Sequence, residues 1–372
     1  ESLISVNMGN SVSRIGGNAF SGCRGLTTIT IPSSLEFIEN NAFSSCLHLT
    51  AVYYTGSVEE WCRIVFGSNY QFSTNPLYYA HNLYINDSLL TSLVIPETIT
   101  EIKPYAFYHA SCLTSVSLGN SVETIGDYAF YGCTGLTEPI FTERQFVYMP
   151  YGYASEYTIP DGIQQIVGGA FENCNSLASV TIPNSVTSIN FRAFYNCNGL
   201  TEVHYQGDIV QWCNISFNGS YGSNPLESGH NLYINDSLVT NLTIPESITV
   251  IKSNVFSGAS CLTSVTIPNT VTSIYSRAFY NCIGLQCVLI PSTVTFIASE
   301  AFYMVGSIIY NGPATGSPWG ARSVGGFVDG DLIYSNNTET YLIGCNQLAS
   351  EVTIPNTVTT IGGGAFASCS FV

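Results

Sequence analysis

The sequence predicts an α/β solenoid built mainly from short parallel β-strands, with little helix. The first reason is a repeat: an Ala-Phe pair, once Val-Phe, recurs with its phenylalanine at 20, 43, 107, 130, 171, 194, 256, 279, 302 and 366. Five of the intervals between them are 23 residues long. The second reason is that the residues between these pairs share one apolar pattern, which fits neither a sustained helix nor a long strand. Self-similarity at a fixed period is the signature of stacked repeat units.

One unit shows how the coil is built, the stretch LTSVTIPNTVTSIYSRAFYNC from Leu262 to Cys282. Its segment TSVTI alternates small polar with β-branched apolar residues, which predicts a short, half-buried strand. Proline ends that strand, because it has no N–H for a continuing ladder. A second extended piece, VTSI, follows, and then a tight helical or 3₁₀ turn that buries Ala-Phe. One coil cannot cover its own apolar side chains, so we expect coils to stack with their strands about 4.8 Å apart.

The unit LxxVxIPxxVxxIxxxAFxxC resembles the BspA-like class of leucine-rich repeat, which has a period of about 23 residues and the pattern IP…I…AFxxC. The resemblance covers most of the chain. It implies a right-handed leucine-rich-repeat superhelix, a single solenoid over residues 1–372. Long arrays of this family are typically bacterial or protozoan cell-surface or secreted proteins, and several adhere to host matrix proteins or to other microbes. The resemblance therefore implies an extracellular or cell-surface protein, and we expect a bacterial source.

Four stretches break the frame and are predicted to be insertions: 54–92, 139–158, 205–241 and 306–350. The first and third match each other, since GSVEEWCRIVFGS at 56–68 parallels GDIVQWCNISFNG at 207–219 and HNLYINDSL occurs in both. A block of about 150 residues has therefore been duplicated in tandem. Each paired insertion predicts a short helix followed by a hairpin with Asn-Asp at its turn. Two interpretations are open: the insertions cover the solenoid edge, or they form two matching contact surfaces.

Composition and motifs exclude several functions. Nine Lys+Arg against 25 Asp+Glu give a net charge of −16, and the basic residues are scattered, so we expect no nucleic-acid surface. No apolar stretch approaches the roughly 20 residues of a membrane-spanning helix. The sequence has no GxSxG, HExxH, phosphate-binding loop or zinc-ligand spacing. We therefore expect no enzyme, no cofactor and no bound metal.

The cysteines and histidines have structural interpretations. Seven of the 13 cysteines lie three residues after a repeat phenylalanine: Cys23, Cys46, Cys133, Cys174, Cys197, Cys282 and Cys369. This position predicts a ladder of small, buried, free thiols, because stacked Cβ vectors are parallel and suit a disulfide poorly. His81 and His230 occupy equivalent positions before Asn-Leu-Tyr. A histidine that hydrogen-bonds a turn is favoured there over a catalytic base or a ligand.

The outward positions of the first strand are the remaining candidates for function. The frame assigns them to Thr28/Thr30, Ala51/Tyr53, Ser115/Ser117, Ser179/Thr181, Glu202/His204 and Ser264/Thr266. Most are small hydroxyl residues, interrupted by larger groups at Tyr53, Glu202 and His204. Together with Tyr78 and Tyr79, which follow an Asn-Pro-Leu turn, these form the predicted ligand-contact surface.

The predicted function is binding without catalysis. We expect a cell-surface or secreted protein that adheres to a protein or glycan ligand on host or microbial surfaces. The alternatives are a structural spacer that displays another domain and a glycan-binding module. Solenoid ends expose an apolar core unless they are capped, so we expect the ends of this chain to be boundaries within a longer surface protein or to pack against partners.

Overall fold

In the computed structural model, a regular coil contributes a first strand of three or four residues and a second strand of two. The structure describes residues 3–67, 73–219, 221–310, 312–316, 318–324, 327–329, 332–334, 340–345, 351–362 and 365–366. The chain divides into two units: unit 1 is Glu1–Ser155, Gly162–Leu177 and Ile189–Asn198, and unit 2 is Glu156–Asp161, Ala178–Ser188 and Gly199–Val372.

The strands in chain order are β1 Ser5–Asn7, β2 Arg14–Ile15, β3 Thr28–Ile31, β4 Phe37–Ile38, β5 Ala51–Tyr54, β6 Val65–Phe66, β7 Leu83–Ile85, β8 Ser88–Leu89, β9 Ser92–Val94, β10 Glu101–Ile102, β11 Ser115–Ser117, β12 Thr124–Ile125, β13 Ile140–Phe141, β14 Gln145–Tyr148, β15 Glu156–Thr158, β16 Gln165–Ile166, β17 Ser179–Ile182, β18 Ser188–Ile189, β19 Glu202–Tyr205, β20 Ser216–Phe217, β21 Asn231–Ile234, β22 Ser237–Leu238, β23 Asn241–Thr243, β24 Val250–Ile251, β25 Ser264–Thr266, β26 Ser273–Ile274, β27 Cys287–Ile290, β28 Phe296–Ile297, β29 Ser307–Tyr310, β30 Ser323–Val324, β31 Phe327–Asp329, β32 Leu332–Tyr334, β33 Tyr341–Cys345 and β34 Thr360–Ile361. The helices are α1 Val58–Arg63, α2 Leu77–Ala80, α3 Ile209–Asn214 and α4 Leu226–Gly229.

Strands of successive coils pair in parallel, as the sequence predicted. In unit 1, β1, β3, β5 and β7 form one sheet, and β2, β4 and β6 form another. In unit 2, β15, β17, β19 and β21 pair in the same way. The register places Ile29 opposite Val52, one repeat of 23 residues apart, so equivalent side chains lie in rows. The prediction of a β-solenoid with coils of about 23 residues is confirmed.

The repeat phenylalanines stack through the core of each unit. Ring centroids are 5.2 Å apart for Phe20 and Phe43 in unit 1, and 5.5 Å apart for Phe256 and Phe279 in unit 2. Phe146, within the predicted insertion 139–158, stacks on the repeat residue Phe171 at 4.6 Å. That stretch therefore supplies a core residue, because β14 pairs in parallel with the second strand β16.

The Ala-Phe segment differs in detail from the single helical or 3₁₀ turn that the sequence predicted. It consists of successive tight turns, in which the N–H of Tyr108 bonds the carbonyl of Tyr105 at 3.1 Å and the N–H of Ala110 bonds that of Phe107 at 3.0 Å. Tyr105 and His109 have φ of 63° and 61°. A left-handed residue interrupts a right-handed helix, so the turns do not merge into one.

Four of the ladder cysteines have a common hydrogen bond. Their thiols donate to the carbonyl oxygen of the repeat phenylalanine one coil earlier: Cys46 to Phe20 at 3.1 Å, Cys133 to Phe107 at 3.1 Å, Cys197 to Phe171 at 3.0 Å and Cys282 to Phe256 at 3.1 Å. The thiol of Cys174 donates instead to the carbonyl oxygen of Met149 at 3.7 Å. Burial raises the pKa of the Cys46 thiol to about 11. These thiols therefore stay protonated and serve packing. Cys369 lies outside the described residues.

The insertion 54–92 forms an enlarged coil. Helix α1 begins with a capping box in which Ser57 and Glu60 bond each other's backbone N–H, and the hairpin of β7 and β8 follows as predicted. Helix α2 was not predicted. Because β6 pairs with β4 and β7 pairs with β5, the insertion continues both sheets. The described part of the predicted insertion 306–350 includes the antiparallel strands β31, β32 and β33.

Candidate functional site

Strand face A is a row of outward side chains in unit 1. It consists of Ser5, Asn7, Thr28, Thr30, Tyr53, Tyr84 and the hairpin-turn residues Asn86 and Asp87. Cross-strand pairing aligns Asn7, Thr30, Tyr53 and Tyr84 on four consecutive parallel strands. The alternate residues of the same strands, such as Ile29 and Val52, are fully buried. The period of two therefore separates a core side from an exposed side.

Tyr53 forms an aromatic pair on face A. Its ring stacks on that of Tyr84, with centroids 4.7 Å apart and planes inclined by 22°. Both side chains are half-buried. The spacing follows from their opposite positions on neighbouring strands, which lie about 4.8 Å apart in any sheet. Tyr84 covers one face of the Tyr53 ring, and the other face is directed toward the Thr30 strand.

The hairpin turn closes one end of this surface. Asn86 and Asp87 have φ of 48° and 63°, as a two-residue primed turn requires, and both residue types tolerate that conformation. Their exposed side chains stand beside Tyr53. Together with Thr28 and Thr30 they line a groove with a volume of about 460 Å³, which we call groove A.

Strand face B is the counterpart in unit 2. It consists of Glu156, Thr158, Ser179, Thr181, Glu202, His204, Tyr233 and the turn residues Asn235 and Asp236. His204 stacks on Tyr233 with centroids 4.5 Å apart and planes inclined by 9°. The two faces thus carry a stacked ring pair at the same register, with tyrosine replaced by histidine.

Charge distinguishes the two faces. The Nε2 atom of His204 is 3.2 Å from the Oε2 atom of Glu202, and its Nδ1 atom is 4.0 Å from the Oδ1 atom of Asp236. The side chain of Asp236 is fully exposed and that of Glu202 is 44% exposed. At the positions of Glu156 and Glu202, face A has Ser5 and Ala51. Face B is therefore acidic around the imidazole ring of His204, whereas Asp87 is the counterpart of Asp236 on an otherwise neutral face A.

Two residues predicted to face outward are buried. Ala51 is 7% exposed, because its methyl group does not extend beyond the neighbouring side chains. Ser264 is 3% exposed, and its hydroxyl donates to the Oδ1 atom of Asn241 at 2.8 Å. Its polar group is satisfied by the adjacent strand and is not offered to a ligand.

Tyr78 and Tyr79 have different neighbours from Tyr53. They lie on α2, and their contacts are to the turns that carry the repeat phenylalanines. The hydroxyl oxygen of Tyr79 accepts a hydrogen bond from the backbone N–H of Ser45 at 3.0 Å, and Tyr78 stacks on Tyr108 at 6.0 Å. Their contacts are those of packing residues, and the structure does not bring them together with Tyr53 in one site.

The turns that carry the repeat phenylalanines form one edge of unit 1, which we call the turn edge. This edge holds a buried carboxyl group that the sequence did not reveal. Glu172 is 5% exposed, its Oε1 atom accepts from the hydroxyl of Tyr131 at 3.4 Å, and Arg192 lies 4.0 Å away. Its Oε2 atom has no hydrogen-bond partner in the described part of the chain. Burial raises the pKa of Glu172 to about 7, against the attraction of Arg192.

The repeats of this chain match the model of a known family. The family model for the BspA type leucine rich repeat region matches six copies, over residues 1–79, 79–151, 144–237, 227–311 and 338–372. The chain belongs to the BspA-type leucine-rich repeat family. Among curated proteins, none matches it.

The chain is also similar to solved structures of bacterial leucine-rich repeat proteins. A leucine-rich repeat protein from Eubacterium ventriosum ATCC 27560 is 21% identical, with a TM-score of 0.51 and 84% of each chain covered. A leucine rich cell surface protein from Faecalibacterium prausnitzii A2-165 is 24% identical, with a TM-score of 0.39 and coverage of 86% of this chain and 82% of that one. At 21% identity, the likeness to the first structure concerns the fold.

The histidines of the BspA-type duplication are turn residues. His81 and His230 each end a short helix with φ near 60°, at 60° and 58°. Their Nδ1 atoms lie 3.3 Å and 3.2 Å from the backbone carbonyl oxygens of His109 and Gly258. The structural interpretation of these two histidines therefore accounts for their repetition.

The described residues of this BspA-type chain contain no group of three or more His, Cys, Asp or Glu side chains placed to hold a metal ion. Within the same ranges, no helix has the length and apolar character needed to cross a membrane.

Proposed function

We propose that this chain is a non-enzymatic binding protein of the cell surface or extracellular space, which adheres to a protein or glycan ligand on host or microbial surfaces through strand faces A and B. BspA-type proteins are typically cell-surface proteins, and leucine-rich repeat solenoids are generally non-enzymatic. The observation that carries the proposal is the stacked ring pair in the same register on both faces, Tyr53 on Tyr84 and His204 on Tyr233.

The chemistry of the faces favours contact with a macromolecule. Paired aromatic rings offer a large, rigid contact area and lose little conformational entropy on binding, which is why such residues dominate interface energetics. They stand among small hydroxyl side chains such as Thr30 and Thr181, and the rings project beyond these shorter neighbours. Such a surface combines an anchor with adaptable polar surroundings.

The insertions complete each face. The Asn86–Asp87 turn lines groove A, and the Asn235–Asp236 turn brings Asp236 to His204. Each hairpin is tied into a sheet, so its turn is presented by a rigid support. The two open interpretations of the insertions are therefore compatible: most of each insertion packs, and its turn supplies contact groups.

A binding screen tests the proposal. The purified chain is passed over immobilised matrix proteins and mucin, alongside Tyr53→Ala, His204→Ala and the double variant. We expect saturable binding that falls about tenfold or more in at least one single variant and further in the double variant. Tyr275→Ala and Leu289→Ala, which alter exposed residues of unit 2 outside face B, are the matched controls and leave binding unchanged. Binding that is equal in the wild-type chain and all five variants would contradict the assignment to these faces.

A structural spacer is the second candidate. The observation in its favour is that other outward hydroxyls satisfy each other, as where the Oγ atom of Ser115 donates to that of Ser92 at 2.9 Å. Hydroxyl groups that pair with each other in this way need only water for their remaining hydrogen bonds. Absence of binding to every surface of the screen would favour the spacer.

A further inference from the structure

We propose that groove A is a binding site for a neutral saccharide. The inference rests on the proposed function and specifies the ligand class of face A. It depends on three features of the groove: a free aromatic ring face, unsatisfied hydroxyl and amide groups, and near neutrality.

The ring of Tyr53 supplies an apolar wall. One of its faces is covered by Tyr84 at 4.7 Å, and the opposite face is directed over the neighbouring strand toward Thr30. The surface beside this ring face is formed by Thr28, Thr30 and Asn7, whose side chains are short and polar. The flat ring of Tyr53 therefore projects beyond its polar neighbours. The C–H face of a pyranose packs on such a ring, while its hydroxyl groups remain free at the edge.

Polar groups of the groove are available to a ligand. In the described part of the chain, the side chains of Asn7, Thr28, Thr30, Asn86 and Asp87 have no protein hydrogen-bond partner. They contrast with outward hydroxyls that bond across strands elsewhere in unit 1. Together they offer both donors and acceptors, which is what a ligand carrying many hydroxyl groups requires. A carboxylate such as that of Asp87 accepts from sugar hydroxyls in bonds stronger than neutral ones.

Size and charge select a neutral ligand. The groove volume of about 460 Å³ lies within the range of roughly 300–1,000 Å³ that is typical of small-molecule sites. Asp87 is the only charged residue among the described residues that line it. An anionic ligand would be repelled by Asp87 and by a chain with net charge −16. A strongly cationic ligand would meet a single exposed carboxylate, which contributes little.

Face B, the counterpart of face A, is less suited to a neutral saccharide. His204 occupies the position of Tyr53 and is engaged by Glu202 at 3.2 Å. A neutral saccharide would have to displace that contact and would meet three acidic side chains, Glu156, Glu202 and Asp236. We therefore assign the saccharide to face A alone.

The test uses saturation-transfer NMR and calorimetry with a panel of neutral oligosaccharides, namely maltotriose, cellotriose, mannotriose and N-acetyllactosamine, and with sialyllactose as the anionic comparison. We expect saturable binding of at least one neutral sugar and none of sialyllactose. Tyr53→Ala and Asp87→Ala weaken that binding about tenfold or more. Tyr53→Phe keeps the ring face and retains binding within about threefold, and Tyr275→Ala, an exposed change outside both strand faces, leaves it unchanged.

Three results would overturn the assignment: no neutral sugar binds, binding survives Tyr53→Ala, or Tyr275→Ala weakens it as much as Tyr53→Ala does. Thermal unfolding of each variant shows that it is folded, and Tyr53→Phe keeps the test valid if Tyr53→Ala is unstable. The proposed function fails separately. Binding to a matrix protein that depends on Tyr53, with no sugar bound, would retain the function and reject the saccharide. Sugar binding without retention on any macromolecular surface would retain the saccharide assignment and reject the proposed function.

Discussion

In unit 1 the indole N–H of Trp61 donates to the carbonyl oxygen of Ala106 at 2.9 Å, and in unit 2 that of Trp212 donates to the carbonyl oxygen of Val255 at 3.0 Å. The amide of Asn224 bonds the same carbonyl at 3.0 Å, as the amide of Asn75 bonds that of Ala106 at 3.3 Å. Both tryptophans are fully buried. The two copies of the duplicated block are therefore held by the same interior bonds.

The turns and the strand faces of the two copies have different chemistry. Tyr78 and Tyr108 stack in unit 1, whereas at the same positions of unit 2 the hydroxyl of Ser257 donates to the Oε1 atom of Glu227 at 3.1 Å. On the strand faces, Tyr53 is replaced by His204. The comparison teaches that the bonds of the tryptophan and asparagine side chains are kept in both copies, while the turns accept aromatic or polar groups and the strand faces accept neutral or acidic ones. One scaffold thus presents a neutral face and an acidic face.

The largest expected effect tests the shared interior. Trp61→Ala and Trp212→Ala each lower the free energy of unfolding by about 3–5 kcal/mol, because each removes a fully buried aromatic side chain. Urea unfolding followed by circular dichroism measures both. The exposed changes Arg63→Ala and Asn214→Ala, in the same two helices, are the controls and cost about 0.5 kcal/mol or less. A large loss in one copy with almost none in the other would refute the equivalence of the interiors.

The next effect concerns the turn edge, where Glu172 is buried beside Tyr131 and Arg192. A carboxyl whose pKa is raised by folding, from 4.5 to about 7, contributes stability that is complete below pH 4.5 and is lost as pH rises through 7. Glutamine resembles the protonated form. Glu172→Gln should therefore match wild type near pH 4.5 and exceed it by up to about 3 kcal/mol at pH 8.

Thermal and urea unfolding at pH 4.5, 6 and 8 measure this difference. Burial lowers the pKa of His109 to about 4, so its own contribution is lost as pH falls through 4, but it is common to both proteins and cancels. Glu123→Gln is the control, since Glu123 is exposed and a surface substitution of this kind changes the free energy of unfolding by about 0.5 kcal/mol or less. A constant difference between Glu172→Gln and wild type at all three pH values would contradict the account.

A smaller effect separates the two strand faces. In Tyr53→Ala the remaining binding occurs through face B, with its acidic side chains, and in His204→Ala it occurs through the nearly neutral face A. Between 50 and 500 mM salt, we expect binding of the first variant to change several-fold and that of the second by less than about twofold. Surface plasmon resonance at the two salt concentrations measures both. Equal salt dependence would show that charge does not distinguish the faces.

The fold was predictable because the spacing of the core residues reveals the repeat period. Intervals of 23 residues between phenylalanines require coils in register, whatever the outward residues are. The core role of Phe146 was hidden, since it lies in a stretch that lacks the Ala-Phe pair. The left-handed residues of the turns were also hidden, because positions such as Tyr105 and Arg192 carry residue types that rarely adopt that conformation.

The candidate site was predictable only in part. Tyr53, Glu202 and His204 fall on first strands, where the period of two assigns them outward. Their ring partners Tyr84 and Tyr233 lie in insertions. The 23-residue pattern does not indicate that strands of these insertions pair with the sheet. Their role in contacting a ligand stays a prediction. Glu172 escaped notice because its burial depends on residues up to 41 positions away, such as Tyr131.

Hydroxyl-radical footprinting tests the central claim most directly, by comparing the free chain with the chain bound to a surface that retains it in the screen. The account predicts reduced oxidation of Tyr53 and Tyr84, of His204 and Tyr233, or of both pairs. Tyr221 and Tyr275, which are 53% and 44% exposed, should be oxidised equally in both states. Protection of Tyr221 or Tyr275 with both ring pairs unprotected would contradict the claim that the duplicated strand faces bind the ligand.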